Sequence, residues 1–250
     1  MPEGLMVALS LPGTPIIVAI TLIAGIVYGF AGFGAALVFL PVASIAVDPA
    51  TAIAAFSLGA LSSLITLVPK AWAVCDKRVT LLMIAAATLT LPLGIYVLRV
   101  ADPQTMQFAI SVLAGLTLLA LVTGFRLPVR PGATASTAVA GAAGVVGGAT
   151  GLLGPLVILF NLASGDEAAR VRANTLIFLT LGSLFVLPQM AFQGLLTAKA
   201  MWLGVILLPV YGIGTVIGRR LFNPAHEGVY RLVAYAIIAL AVVAGLQEFL

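Results

Sequence analysis

Apolar residues run along this chain in long blocks, and the few charged residues fall between them. The uncharged stretches are roughly 14–47, 50–69, 79–98, 104–125, 133–163, 173–193, 200–218 and 232–247, each good to a few residues at its ends. Between them stand charges and turn residues: Asp48-Pro49, Lys70 to Arg78, Arg99 to Pro103, Arg126 to Pro131, Gly165 to Arg172, Lys199, and Arg219 to Arg231. The blocks are continuous, as in Val79–Leu98, whereas strands of a membrane barrel alternate apolar and polar residues. A helix needs about 20 apolar residues to cross a hydrocarbon core of about 30 Å. It also satisfies its own backbone hydrogen bonds, which lipid cannot do. The pattern therefore predicts an all-α polytopic membrane protein, one membrane domain over residues 1–250. The amino terminus, Met1–Gly13, has no basic n-region, so no cleavable signal peptide is expected.

Composition agrees and narrows the function classes. Apolar residues make up 62% of the chain and charged residues 8%, against about 45–50% and 25% in soluble domains. A net charge of +4, scattered along the chain, argues against nucleic-acid binding. One cysteine, Cys75, excludes a disulfide scaffold. One cysteine and one histidine, His226, exclude a structural zinc site. No cofactor and no metal are expected.

Two blocks, 14–47 and 133–163, are too long for one ordinary span and are broken by glycine clusters. They begin a repeat. Sliding the chain by 119 residues aligns Gly25 with Gly144, Val27 with Val146, Gly29 with Gly148 and Gly32 with Gly151. It also aligns Pro69 with Pro188 and puts Asp48 on Glu167. A slide of 121 aligns Arg99 with Arg220, Pro103 with Pro224 and Gly124 with Gly245. Repeat 1 covers about 14–125 and repeat 2 about 133–247, and such duplication is common in transporters.

The basic residues choose the orientation of the halves. Short basic loops stay in the cytoplasm, which puts Lys70, Lys77 and Arg78 inside. If 133–163 crosses once, Arg170, Arg172, Arg219, Arg220 and Arg231 all fall outside. If it goes in and returns as a hairpin, all five fall inside, and only Lys199 of the second half is outside. By repeat logic 14–47 is a hairpin too. Each half is then a glycine-broken helical hairpin plus three transmembrane helices, an odd number of segments, and the halves are inverted with both termini outside. The alternative count is eight spans with a long single first helix in each half.

The breaks are Tyr28-Gly29-Phe30-Ala31-Gly32-Phe33-Gly34 and Gly147-Gly148-Ala149-Thr150-Gly151-Leu152-Leu153-Gly154-Pro155. Glycine permits the tight turn at a tip, and Pro155 suits the first turn of a new helix. Helices starting near Gly34 and Gly154 would present uncapped N–H groups and positive dipole ends, a site for a small anion. Whether the tips stop mid-membrane is left open. The competing reading of the glycines is close helix packing.

These residues resemble the sulfite exporter family (TauE/SafE). Gly29, Gly32, Gly34 and Pro41 match a motif G-x-x-G-x-G followed, after six intervening residues, by proline. Gly148 and Gly151 match its second copy, where the third glycine comes one residue late, at Gly154, and Phe160 replaces the proline. Ala54-Ala55-Phe56-Ser57-Leu58 and Gly214-Thr215-Val216-Ile217-Gly218-Arg219-Arg220-Leu221 also look like the family. The resemblance runs over roughly 15–246. It implies transport of small sulfur-containing anions, such as sulfite and organosulfonates, across the bacterial cell inner membrane.

Polar residues inside apolar spans usually have a use. Ser57, Ser62, Ser63 and Thr66 follow the first hairpin; Asn174, Thr175, Thr180 and Ser183 follow the second. Asn161, Gln189 and Gln193 add amides. Neutral donors suit sulfonate oxygens; the alternative is interhelical bonding, or bonding of Ser and Thr to their own i−4 carbonyls. Arg172 can clamp an anion with a bidentate fork or serve only as a positive-inside residue paired with Asp166 or Glu167. Trp72 and Trp202 read as interfacial anchors. His226 falls in a loop. No acidic residue lies mid-span, so the coupling ion is left open between proton and sodium. No nucleophile–base pair or paired carboxylates suggest an enzyme.

The sequence thus predicts a secondary transporter, an exporter, of small sulfur-containing anions. Its expected partners are the anion, membrane lipid and a coupling ion, with no nucleic acid and an unspecified oligomer. The substrate-binding candidates are Gly29, Gly32, Gly34, Gly148, Gly151, Gly154, Asn174, Thr175, Ser57 and Arg172. The alternatives are a transporter of another small organic anion and a non-transporting membrane subunit.

Overall fold

The computed structural model describes residues 13–125, 132–163, 167–222 and 227–249. Arg126, Arg130, Asp166, His226 and the segment 1–12 lie outside the described residues. Among those described there are helices and no strands. In chain order the helices are α1 (Thr14–Ala31), α2 (Ala35–Ala46), α3 (Pro49–Ala60), α4 (Ser63–Thr66), α5 (Val68–Val74) and α6 (Lys77–Val100). They continue with α7 (Pro103–Val122), α8 (Ala133–Thr150), α9 (Gly154–Asn161), α10 (Ala168–Phe192), α11 (Ala198–Leu221) and α12 (Glu227–Gln247). Seven stretches, 14–31, 49–66, 77–100, 103–122, 168–192, 198–221 and 228–247, are long and apolar enough to cross a membrane. Large apolar side chains cover the outside, with Phe192 at 87% and Ile65 at 84% exposure. Such a surface belongs in lipid, so the chain is a multi-pass membrane protein.

Both long glycine-broken blocks are helix–break–helix units. The N–H of Gly32 bonds back to Tyr28 O with φ of +80°, ending α1, and Gly34 at φ +90° opens α2. The N–H of Gly151 bonds back to Gly147 O with φ of +74°, ending α8. These left-handed conformations carry a steric penalty for any residue with a Cβ.

Two long helix pairs form the frame. The first helix of one unit, α1, runs along α11, and the first helix of the other, α8, runs along α6. Their approach is set by glycine in the same way. A Cβ on Gly29 would meet Thr215 O at 2.5 Å, Arg219 N at 2.8 Å and Gly218 Cα at 2.9 Å. A Cβ on Gly148 would meet Leu91 O at 2.5 Å, Ile95 N at 2.9 Å and Gly94 Cα at 3.0 Å. Gly25 likewise lies on Tyr211 O, and Gly144 on Ala87 O. The partners 87, 91, 94 and 95 become 211, 215, 218 and 219 on adding 124, three more than the 121-residue slide that matches Arg99 with Arg220. The packing register therefore differs from that alignment by nearly one helical turn.

Third segments differ between the halves. Asp48 caps α3 by accepting from Thr51 N at 2.8 Å, whereas Glu167, at the matching place, makes no side-chain cap to α10. α10 is continuous over 25 residues. Its counterpart is broken into α3, α4 and α5, which the hydropathy pattern did not foretell. Around Leu61 and Ser62 the backbone tightens to i→i−3 bonds, and Ser62 Oγ bonds to Gly59 O at 3.0 Å. Pro69 has no N–H for Ile65 O. The neighbouring carbonyl of Thr66 instead accepts from Arg219 Nη1 at 2.6 Å, a cation at a helix C-terminus.

Candidate functional site

The two glycine breaks meet. Gly34, Ala35, Ala36 and Leu37 from one, and Gly151, Leu152, Leu153, Gly154 and Pro155 from the other, line a single cavity with about 490 Å³ of empty space. Tyr28, Phe56, Thr180, Ser183 and Tyr211 complete most of its wall.

The second helix of each unit starts at this cavity. α2 begins on Gly34 and α9 on Leu153, and neither N-terminus has a side-chain cap. Val38 N is the first to bond back, to Gly34 O, so the N–H groups of Ala35, Ala36 and Leu37 have no carbonyl one turn earlier. At the other tip Thr150 Oγ1 accepts from Leu152 N at 3.2 Å. That fixes the turn and leaves the Gly154 and Leu156 N–H groups to the helix start; Pro155 has none to place. Two positive helix ends therefore point at one small space.

Hydroxyl groups line the other side. Tyr28, 4% exposed, places its hydroxyl 3.1 Å from Leu176 O and 3.0 Å from Thr180 Oγ1. Ser183 Oγ donates to Leu179 O at 2.9 Å. Tyr211, 1% exposed, stands edge-on to Phe56 with ring centroids 5.8 Å apart. Beside it is Ser63, whose side chain is fully buried.

Of the sequence candidates, Gly34, Gly151 and Gly154 line the cavity. Gly29 and Gly148 face α11 and α6 and set helix packing. Gly32 lies under the side chain of Arg172, whose Cγ would be 2.6 Å from a Cβ there. Arg172 Nη2 donates to Gly29 O at 2.7 Å, at the carbonyl end of α1, and its guanidinium lies 4.4 Å from the centroid of Phe222. Asn174 does not line the cavity. Its Oδ1 accepts from Asp76 N at 2.8 Å and ties α10 to the turn before α6. Thr175 Oγ1 donates to Val171 O and accepts from Asn161 Nδ2, both at 2.9 Å. Ser57 is buried on α3 next to the cavity residue Phe56 but is not part of the wall.

Cys75 caps α5 and is 8% exposed. Burial pushes its thiol pKa up. Tyr28, Tyr211 and Phe56 were not among the sequence candidates. One signal was at hand for Tyr28, which directly precedes the glycine cluster. Tyr211 had none, since it comes to the cavity from the opposite end of the chain.

Neither a search of curated proteins nor one of solved structures returned a match. The family model described as sulfite exporter TauE/SafE matches residues 17–245. With nearly the whole chain matched and an all-helical membrane fold, this protein belongs to the sulfite exporter TauE/SafE family, a family of membrane transporters.

Proposed function

We propose that this protein is a secondary transporter that exports small sulfur-containing anions, such as sulfite or organosulfonates, across the bacterial inner membrane. The observation that carries this reading is the convergence of two uncapped helix N-termini on one cavity. Backbone N–H groups and dipole ends bind an anion without a buried charged side chain. Paired, interrupted helices of this kind mark binding sites in transporters built from inverted repeats.

The repeats are about 14–125 and 133–247, inverted, and one moves against the other for alternating access. End-to-end contacts support the inversion. Lys199 Nζ lies 4.0 Å from Asp48 Oδ2, and the inverted count puts both outside. Asn174 meets Asp76, and Arg219 meets Thr66, all at the inner end of that count. A single crossing by 133–163 would put Asn174 and Asp76 at opposite faces. Arg172 acts in this reading as a clamp on the first tip through Gly29.

Flux of labelled sulfite and methanesulfonate into liposomes holding the purified protein tests the proposal. Saturable anion flux, competed by unlabelled substrate, is the expected result. Absence of flux for every anion under proton and sodium gradients in both directions would rule the transporter reading out.

A further inference from the structure

Helix α10 carries part of the cavity wall, Thr180 and Ser183, and its two ends are held in different ways. The end that the inverted count puts outside is anchored on α6. Gln193, which closes the helix, donates from Nε2 to Pro92 O at 2.9 Å, and Met190 beside it is fully buried. Pro188 lies between this anchor and the wall, on an exposed side of the helix. It has no N–H for Leu184 O, so one rung of the helical ladder is missing there. Sharp bends in helices concentrate at such prolines.

The end that the inverted count puts inside is fastened to the first half by side chains. Arg172 Nη2 donates to Gly29 O at 2.7 Å, and Asn174 Oδ1 accepts from Asp76 N at 2.8 Å. The Tyr28 hydroxyl meets Leu176 O at 3.1 Å and Thr180 Oγ1 at 3.0 Å. At about 1.5 Å per residue, Arg172 lies about 24 Å along the axis from Pro188. A bend of about 10° at Pro188 would carry Arg172 through about 4 Å, enough to part these bonds. The same bend moves Thr180 and widens the cavity on its inner side. Anionic oxygens are stronger acceptors for a guanidinium than a neutral carbonyl. An anion at the inner mouth therefore competes with Gly29 O for Arg172 and loosens the fastening.

We propose that the inner part of α10 is the gate on the inner side of the cavity, closed in this structure, with Pro188 as its hinge and Arg172 and Asn174 as its latch. This rests on the transporter reading above and names the part that opens. Arg172 and Asn174 then serve transport without lining the cavity.

Two experiments on the whole protein, in a Cys75→Ser background, test the gate. In the first, Asp76→Cys and Asn174→Cys are introduced together and oxidised to a disulfide, confirmed by mass spectrometry. Methanesulfonate flux in proteoliposomes is expected to fall at least about tenfold in the linked form and to return on reduction. Linked protein that transports as fast as the reduced form would overturn the gate. In the second, Ser183→Cys reports access to the cavity through its reaction with a membrane-impermeant thiosulfonate. Adding Arg172→Gln is expected to speed labelling about tenfold in inside-out vesicles and to leave it unchanged in spheroplasts. No gain from the inside, or an equal gain from both sides, would overturn the gate. Absence of flux in the reduced form as well would overturn the transporter reading itself, and the labelling rates then decide the gate alone.

Discussion

The two glycine breaks each open a helix at the cavity and are built differently. The first turns on two left-handed glycines, Gly32 and Gly34, and starts a helix of 12 residues. The second uses one left-handed glycine, Gly151, then passes through Leu152 and Leu153 into a helix of 8 residues. Leu153 has φ of −66°, which any residue accepts, so the second tip has no need of glycine where the first has Gly34. This accounts for the late third glycine of the second motif. The tips are also furnished differently. Tyr28 falls on Gly147 at the 119-residue slide, and a Cβ on Gly147 would meet Leu153 Cγ at 2.6 Å. One tip sends a tyrosine hydroxyl toward the cavity; the other makes room for a leucine. Thr180 and Ser183 fall on Leu61 and Leu64, so these two hydroxyls have no counterpart in the first half, just as the Tyr28 hydroxyl has none in the second. Helix starts reach the cavity from both breaks, whereas none of these hydroxyls has a counterpart at the matching place in the other half.

The strongest way to break the comparison is at the shared helix packing. Gly29→Ala and Gly148→Ala each push a methyl into backbone atoms, which cannot rotate away. Both are expected to lose stability at or above the upper end of the ~1–3 kcal/mol of an overpacked core, and by similar amounts. Thermal unfolding in detergent checks this, and a large inequality between the two would break the equivalence of the α1–α11 and α8–α6 contacts.

The tips themselves come next. Gly32→Ala and Gly151→Ala share the left-handed penalty, about 1–3 kcal/mol. Gly151→Ala also runs into Leu40 Cδ1 at 2.7 Å and Ile53 Cγ1 at 2.8 Å, whereas Gly32→Ala meets the movable stem of Arg172. The second tip is therefore expected to be the more sensitive by about 1 kcal/mol or more, read from the same unfolding curves.

Tyr28→Phe sharpens the furnishing difference. It takes the hydroxyl from Leu176 O and Thr180, and leaves the Thr180 proton without its partner. The expected cost is about 1 kcal/mol of stability, with a larger loss in anion flux than in protein yield. Gly154→Ala is the smallest effect. Its new methyl meets Ile158 Cδ1 at 3.0 Å, the end of a flexible side chain, at an ordinary helical position. A change within about 0.5 kcal/mol is expected, and a loss of flux without a loss of stability would assign that position to the anion directly.

A final prediction concerns Cys75, which lies between two of the membrane-spanning stretches. The raised thiol pKa and burial of Cys75 keep it mostly protonated at neutral pH, so the thiolate that reacts is scarce. Its labelling by maleimide is expected to be slower than that of a free cysteine at pH 7 and to speed up as pH rises. Mass spectrometry after timed labelling would show it, and rapid labelling at pH 7 would contradict the buried placement.

Much of the architecture was legible along the chain, because a membrane imposes local rules. Hydropathy, the glycine breaks at 32–34 and 151–154, Asp48 before Pro49, and the Pro155 helix start each depend on a few neighbouring residues. The site was legible in part. Gly34, Gly151 and Gly154 line the cavity, whereas Gly29 and Gly148, in the same motif, pack on α11 and α6. Asn174 read as a ligand on polarity alone, and its carbonyl oxygen is taken by Asp76 N, 98 residues away. The break between α3 and α5 escaped because Leu61 and Leu67 are as apolar as any span, and the carbonyl it frees is answered by Arg219, 153 residues on.

The sequence by itself determined the solvent, the helical class, the two glycine breaks and the family. Each follows from short-range sterics and from the cost of placing polar groups in lipid. Only the tertiary structure decided which of many glycines, hydroxyls and arginines share a space. The Tyr28 hydroxyl reaches Thr180 across 152 positions, and two helix ends meet at one cavity, because α1 lies on α11 and α8 on α6. That arrangement depends on packing between residues far apart in the chain, and no local pattern of apolar residues encodes it.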